Sequence, residues 1–544
     1  MSSSSSIDNA MHASAKQSTL AGLPAEIHLQ ILAHLEPLDL AQVAQTCQRL
    51  ALTSYDESLW SPIVDAAAGQ HVAEFTPLSS FRELYASLFP YWFLTSQRIW
   101  FGDNEPSGKF LVTRYDPATQ SIVAYQVVAL ARATRTISFW EKNPSVIIYS
   151  FDPVTMIDTN QPVLKLDAGN VARGAAAGKS VDRGSTSRYA KDVLMDTFLD
   201  SGLHSAIMLC RALPAEAITH NSETWPPHRI PAASRARNAS RDGFRSMGHK
   251  PEKLSQLSKN NFRLKKWVEY HGRDDRSDSA SSGNTIGNAF GIGLPYFLRR
   301  LPPNVFESGA RMPEDITTFC SLPPESYTPT KEKPWQGIWC GDYSVHGCEF
   351  LLVTQPDESE ATPLPRGLDY LREWFSGARL SSAFDYDIDP DDDPDEDELA
   401  QAATENASNG SDTSNEQTFM STPNAFPFER SQDHSEVPSG RLEAIKLTGD
   451  PNVPRSQYSF IAPDLGHGGF LRIADEATFR GARVVRSAGH VANRGFIDDE
   501  YKPSQLIMIS HDRLAQFWQG FSHISYYRRV DLDNLIKNGL SRAS

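Results

Sequence analysis

Residues 20–64 read LAGLPAEIHLQILAHLEPLDLAQVAQTCQRLALTSYDESLWSPIV, and the spacing of apolar residues in this stretch decides the N-terminal fold. Pro24 suits the first turn of a helix, and Glu26 complements that helix's positive end. Ile27, Ile31 and Leu35 recur at helical spacing and form one apolar stripe. A second helix is expected after Pro37, with Asp39 as cap and Gln42 reaching back as in a capping box. Leu40, Val43, Ala44, Cys47 and Leu50 supply its apolar face. A third, short helix around Leu59–Val64 carries Trp60. Three apolar faces on so short a segment exceed the volume available to hide them, so part of this surface is expected to meet a partner.

Periodicity alone would also describe an ordinary helical subdomain, but the order of residues is more specific. Leu-Pro-x-Glu-Ile, Ile-Leu, Leu-x-Pro-x-Asp-Leu, Cys-x-x-Leu and Leu-Trp follow one another, and together they resemble the F-box. That resemblance implies docking on the SKP adaptor of a cullin–RING ubiquitin ligase. It makes Leu23, Pro24, Ile27, Ile31, Leu35, Leu38, Leu40, Val43, Cys47, Leu50 and Trp60 the docking or supporting positions. Spacing does not sort partner contacts from internal core.

The chain has 544 residues. Its beginning, MSSSSSIDNAMHASAKQ, has neither a basic stretch nor an apolar run, and no later segment reaches membrane-spanning length. Five cysteines, odd in number and without CxxC pairs, fit a reducing compartment, and a cytoplasmic or nuclear location is expected. The formal net charge is −15, but DYDIDPDDDPDEDE at 385–398 alone contributes ten negative charges, so bulk charge says little about partners.

After residues 18–66, FRELYASLF (81–89) reads as a helix within a connector at 67–90. From Tyr91 the texture turns to short apolar, aromatic and β-branched runs: WFLTSQRIWF, KFLVTRYD, SIVAYQVVALA and SVIIYSF. It returns in 335–355, 441–450, 458–465 and 504–518. The expected fold class is therefore α+β: a small three-helix module, then a mostly antiparallel β-barrel or sandwich. This β-domain is built from residues 91–170, 331–378 and 440–540.

Two insertions are expected to interrupt it, after an unstructured start at residues 1–17. Residues 171–330 include one amphipathic helix near KDVLMDTFLDSGLHSAIML (191–209) and a basic stretch at 229–266. There, eleven Lys or Arg face two acidic residues, with Phe244, Phe262 and Trp267 interleaved. Such a composition suits nucleic acid. No nucleic-acid-binding motif frames the charges, and a solvated segment is the reading adopted. Residues 379–439, acidic and then rich in Asn, Ser and Thr, are expected to be disordered. Asp385, Asp387, Asp389, Asp391, Asp393 and Glu396 match the ligand spacing of a calcium loop, but Pro390 stands where that loop needs Gly.

A second constellation is Trp335-x-Gly337-x-Trp339-x-Gly341-x-Tyr343-x-x-His346-Gly347-x-Glu349, with Gly449-Asp450-Pro451-Asn452-Val453-Pro454 further on. Glycine lets a strand bend or another backbone approach, and the aromatics alternate as in a strand. The pair resembles the cyclin-D-binding domain of F-box-only proteins, in a branch common in fungi, with gaps from about residue 81 to 536. The resemblance implies a substrate receptor. Trp339 and Tyr343 then become candidate walls of a peptide pocket, with His346, Glu349, Asp450 and Asn452 as its polar groups. The residues themselves equally describe an Asp-Pro-Asn turn and a strand end.

Catalytic signatures are missing: there is no Gly-x-Ser-x-Gly elbow, Walker loop, HExxH or nucleotide fingerprint. Cys340-x5-His346-x-Cys348 lacks a fourth zinc ligand, and Gly466-His467-Gly468-Gly469 reads as a flexible loop. The expectation is a non-catalytic receptor without metal or cofactor, binding the SKP adaptor, a cullin–RING ligase and a protein carrying a degradation signal. No membrane contact and no nucleic acid are expected. The alternative is a β-barrel for a small ligand or structural partner, tethered to the adaptor outside a ligase.

Overall fold

A computed structural model describes residues 20–104, 106–130, 137–149, 153–176, 187–197, 203–212, 250–270, 310–311, 315–343, 347–357, 363–376, 438–538 and 540–541. The expected unstructured start, residues 229–249 of the basic stretch, the acidic run at 385–398 and His346 lie outside them.

The N-terminal module contains four short helices: α1 (Ala25–Leu32), α2 (Pro37–Val43), α3 (Gln48–Ser54) and α4 (Glu57–Ala68). The second helix expected from the sequence is thus two, with Cys47 in extended conformation at the start of α3. Asp39 caps nothing, because α2 begins at Pro37 with Glu36 as its extended N-cap residue. The helix around Trp60 is longer than expected, capped by the Asp56 carboxylate accepting from Ser58 N at 2.9 Å. Next come α5 (Phe81–Leu88), where the connector helix is expected, and α6 (Phe93–Gln97). α6 occupies the front half of WFLTSQRIWF, which therefore yields a strand only from Ile99.

The strands fall into two sheets. Up to the middle of the chain they are β1 (Ile99–Gly102), β2 (Lys109–Asp116), β3 (Ser121–Leu130), β4 (Ile137–Trp140), β5 (Asn143–Tyr149), β6 (Val154–Ile157), β7 (Leu164–Leu166), β8 (Val193–Met195), β9 (Leu203–Arg211), β10 (Leu257–Tyr270), β11 (Ala310–Arg311) and β12 (Asp315–Ser321). Then follow β13 (Gly337–Asp342), β14 (Cys348–Thr354), β15 (Leu442–Lys446), β16 (Tyr458–Ala462), β17 (Phe470–Ile473), β18 (Arg483–Asn493), β19 (Ile497–Ser510), β20 (Arg513–Trp518), β21 (His523–Arg529) and β22 (Leu540–Ser541).

The first sheet runs β22-β6-β3-β2-β1-β12-β10-β9-β8, with β7 on β3 and β11 on β10. The second holds a closed antiparallel barrel of eight strands, β13-β14-β15-β16-β18-β19-β20-β21, sealed by β21 pairing back to β13, with β5 and β4 continuing outward from β21 and β17 on β18. Closure removes the unpaired edges that an open sheet would present. The chain therefore builds a barrel and a separate sheet, where one β-domain is expected from sequence. Residues 171–330, expected as an insertion, supply β8 to β12 to the first sheet. The segment 191–209, expected as a helix, forms β8 and most of β9.

Two apolar cores join these parts. One runs from the helices into the first sheet, uniting Leu40, Trp60, Val64, Leu84, Trp92, Trp100, Leu111 and Phe262. The other lies between sheet and barrel, where Phe101, Phe110 and Val112 meet Ile338, Phe350 and Leu352, with the Phe110 and Phe350 rings 5.1 Å apart. A hairpin from the first half of the chain also crosses to the barrel. β5 pairs in parallel with β21 at Ile147 and Ile148, and Trp140 Nε1 donates to Glu476 Oε1 at 3.2 Å.

Candidate protein-binding surfaces

The helical module separates its apolar residues into two sets. Leu32, Leu40, Leu50, Leu59, Trp60 and Val64 are buried, and Trp60 Nε1 donates to Ser54 O at 2.7 Å. Ile27, Ile31 and Leu38 are exposed to 39%, 42% and 45%, joined by Leu20 and Leu52. Of the positions proposed for docking, Pro24, Ile27, Ile31, Leu38 and Cys47 lie outside, Leu23, Leu35 and Val43 are half-buried, and Leu40, Leu50 and Trp60 lie inside. Leu20, Leu52 and Tyr55 extend the exposed set and escaped the sequence reading. Arg49 Nη2 donates to Leu23 O at 2.8 Å, tying the start of α1 to α3. An exposed apolar patch on an otherwise well-packed module is the usual signature of a partner surface.

The barrel interior is apolar at one end and polar at the other. Trp335, Trp339, Leu351, Leu442, Ala462 and Leu514 fill the apolar end. Trp339 is fully buried there, its Nε1 donating to Trp335 O at 3.0 Å, and so it lines the barrel core in place of a surface wall. At the polar end the Tyr527 hydroxyl donates to Gln516 Oε1 at 2.8 Å, Gln516 Nε2 donates to Ser504 Oγ at 3.0 Å, and the Ser487 and Ser504 hydroxyls are 2.8 Å apart. Gly341 has a physical reason: a Cβ there would sit 2.7 Å from the Tyr527 ring and 2.9 Å from that of Tyr343.

Near this end Lys446 organises the charged residues. Its Nζ lies 2.8 Å from Glu349 Oε2 and 2.7 Å from Asp450 Oδ2, with all three side chains buried. The same Nζ stands 4.6 Å over the Tyr343 ring, a cation–π contact, and the half-buried Tyr343 hydroxyl bonds Ser459. Asp450 Oδ1 accepts from the backbone N–H groups of Asn452 at 2.6 Å and Val453 at 2.9 Å, so the motif is indeed a turn. Burial pushes the Glu349 carboxyl up to about 8, against the pull of Lys446. Burial acts on Asp450 as well, but Lys446 and the hydrogen bonds it accepts hold its carboxyl well below the usual range. The structure thus gathers Tyr343, Glu349 and Asp450 around one lysine, ties Asn452 to Asp450 through its backbone N–H alone, and leaves Trp339 apart.

The Gly449–Arg455 turn is also the joint to the first sheet. Gly449 N donates to Ser107 O at 3.0 Å and Arg455 N to Pro106 O at 2.9 Å. The buried Arg455 guanidinium donates to Asn104 O at 3.1 Å and Asp103 O at 2.9 Å. Gly108, with φ +67°, lets the backbone pass where a Cβ would stand 2.7 Å from Leu447 O.

Among the described residues no cluster of three or more His, Cys, Asp or Glu could hold a metal ion, and no helix is long and apolar enough to cross a membrane. Cys340 and Cys348 lie on paired strands and form no disulfide.

Two stretches of the chain match known families. Residues 20–65 match the family described as F-box-like, and residues 319–534 match the Cyclin D1 binding domain. The chain carries an F-box-like domain followed by a domain of the cyclin-D1-binding family. The second match begins in β12 and takes in the whole barrel, leaving most of the first sheet between the two. No curated protein matches the chain.

Proposed function

We propose that this protein is the substrate-recognition subunit of an SCF-type cullin–RING ubiquitin ligase. The observation that carries this reading is the exposed apolar face of the F-box-like helices, Ile27, Ile31 and Leu38, on a module whose inner residues run without a break into the core of the first sheet. The helices dock the SKP adaptor. The barrel captures a protein carrying a degradation signal, and the name of its family makes a D-type cyclin the first partner to try. Tyr343, Glu349, Asp450 and Asn452, with Lys446, are the polar groups proposed for capture, and His346 is retained as a candidate on sequence grounds. No side chain of this chain performs chemistry in this scheme. Continuous cores from helices to barrel fix the captured protein relative to the adaptor, and rate gain comes from proximity and orientation.

The test is affinity purification of the wild-type chain beside Ile27→Asp, Ile31→Asp, with bound proteins quantified. Adaptor and cullin recovered with wild type and lost from the variant support the reading. Adaptor recovered without cullin favours a tether outside a ligase, and absence of both from wild type overturns the assignment. Partners retained by both forms are the candidates for capture by the barrel.

A further inference from the structure

Two carboxyl groups share one ammonium in a buried place. Glu349 and Asp450 are each within ion-pair distance of Lys446 Nζ, at 2.8 and 2.7 Å, and the Glu349 oxygens have no hydrogen-bond partner beyond that ion pair. Two carboxylates drawn to one ammonium repel, and one lysine neutralises only one of them. A proton on one carboxyl removes that repulsion. Asp450 already accepts two backbone N–H groups and the lysine, which stabilise its ionised form, so the proton belongs to Glu349. The charged and titratable groups around Glu349 and its partners are Lys446 from β15, Asp450 from the turn, Tyr343 after β13, Tyr527 from β21, and Cys340 and Asp342 on β13, with His490 on β18 in electrostatic reach of Lys446. Asp450 is built into the turn that joins barrel and first sheet, so loss of the proton acts on that joint.

We propose that Glu349, Asp450 and Lys446 form a one-proton lock, which holds the Gly449–Arg455 joint most tightly at acid pH, where Glu349 is protonated in every state of the chain, and loosens it progressively as the pH rises into the slightly alkaline range. The direction follows from linkage. A carboxyl raised from 4.5 in the open chain to about 8 in the folded protein stabilises the closed state fully below 4.5. That stabilisation is lost as pH climbs through about 8. In between, the opening equilibrium grows by about tenfold per pH unit.

The experiment is amide hydrogen exchange of the intact chain between pH 6 and 9, with protection factors for peptides spanning 449–455 compared between wild type and Glu349→Gln. Glutamine has the shape of the neutral acid and cannot ionise. The expected result is a wild-type protection that falls relative to the variant by up to about tenfold per pH unit and levels off above pH 8. A ratio that stays flat across the range overturns the proposal. Should the variant fail to fold, the carboxyl-carbon resonance of Glu349 in wild type decides alone. A midpoint near 8 supports the lock, and one in the ordinary carboxylate range refutes it.

Discussion

Lys446 is the residue on which most of the barrel's charged chemistry turns. Removing it as Lys446→Met strands the ionised Asp450 in a buried place, and breaking such a pair costs about 3–5 kcal/mol. Glu349→Gln replaces a protonated acid by its neutral isostere and is expected to stay within about 1 kcal/mol of wild type at pH 7. Chemical denaturation of the two variants at that pH checks the contrast, and equal losses would contradict it. Gly489→Ala makes a different point, because its Cβ would lie 2.1 Å from Trp518 Cζ3. The cost is that of overpacking, at least about 1–3 kcal/mol, read as a lowered melting temperature. Sequence picked out Glu349, Asp450 and Tyr343 through the family motif but passed over Lys446. A signal was there: strand period two puts Lys446 on the same inward face as Leu442 and Ala444. What the pattern does not convey is that a charge on an inward face will find two carboxylates from segments a hundred residues apart.

Elements were legible where period and length agreed. KFLVTRYD and SIVAYQVVALA became β2 and β3 almost to the residue, and FRELYASLF became α5. β10 was missed because its lysines and arginine looked like a solvated basic stretch. Yet Phe262 and Leu264 alternate with Arg263 and Lys265, and every one of these four side chains is buried in the first sheet. The segment 191–209 misled in the opposite sense, since short apolar runs satisfy both periods. α1 permits a sharp prediction at this scale. Ile27 and Ile31 are exposed, so the double aspartate variant should unfold within about 0.5 kcal/mol per site of wild type while losing the adaptor. A melting curve beside the purification separates a lost surface from a lost fold.

At the scale of the whole molecule the first sheet is a spacer between the F-box-like helices and the barrel, packed against each through its own apolar core. Sequence reading found both ends of this arrangement because both carry family motifs. The spacer, lacking one, was assigned partly to the barrel and partly to an insertion. Phe350→Ala removes a ring that packs on Phe110 across the sheet–barrel interface and should cost about 3–5 kcal/mol. Limited proteolysis is then expected to cut between sheet and barrel sooner than in wild type, while adaptor recovery persists. Loss of the adaptor as well would show that the two cores fail together.

The β4–β5 hairpin has a consequence for how the chain is made. Trp140 waits for a partner 336 residues further on, and Arg455 reaches back 352 residues to Asp103. At about 5–20 residues per second on the ribosome, the hairpin spends roughly 20–70 s with its barrel-facing side bare. Neither family boundary is therefore a folding boundary. A fragment cut at 319–534 lacks the strand that β21 needs and exposes the face that Phe101 and Phe110 cover, so it should collect in the insoluble fraction unless residues 91–157 are supplied with it.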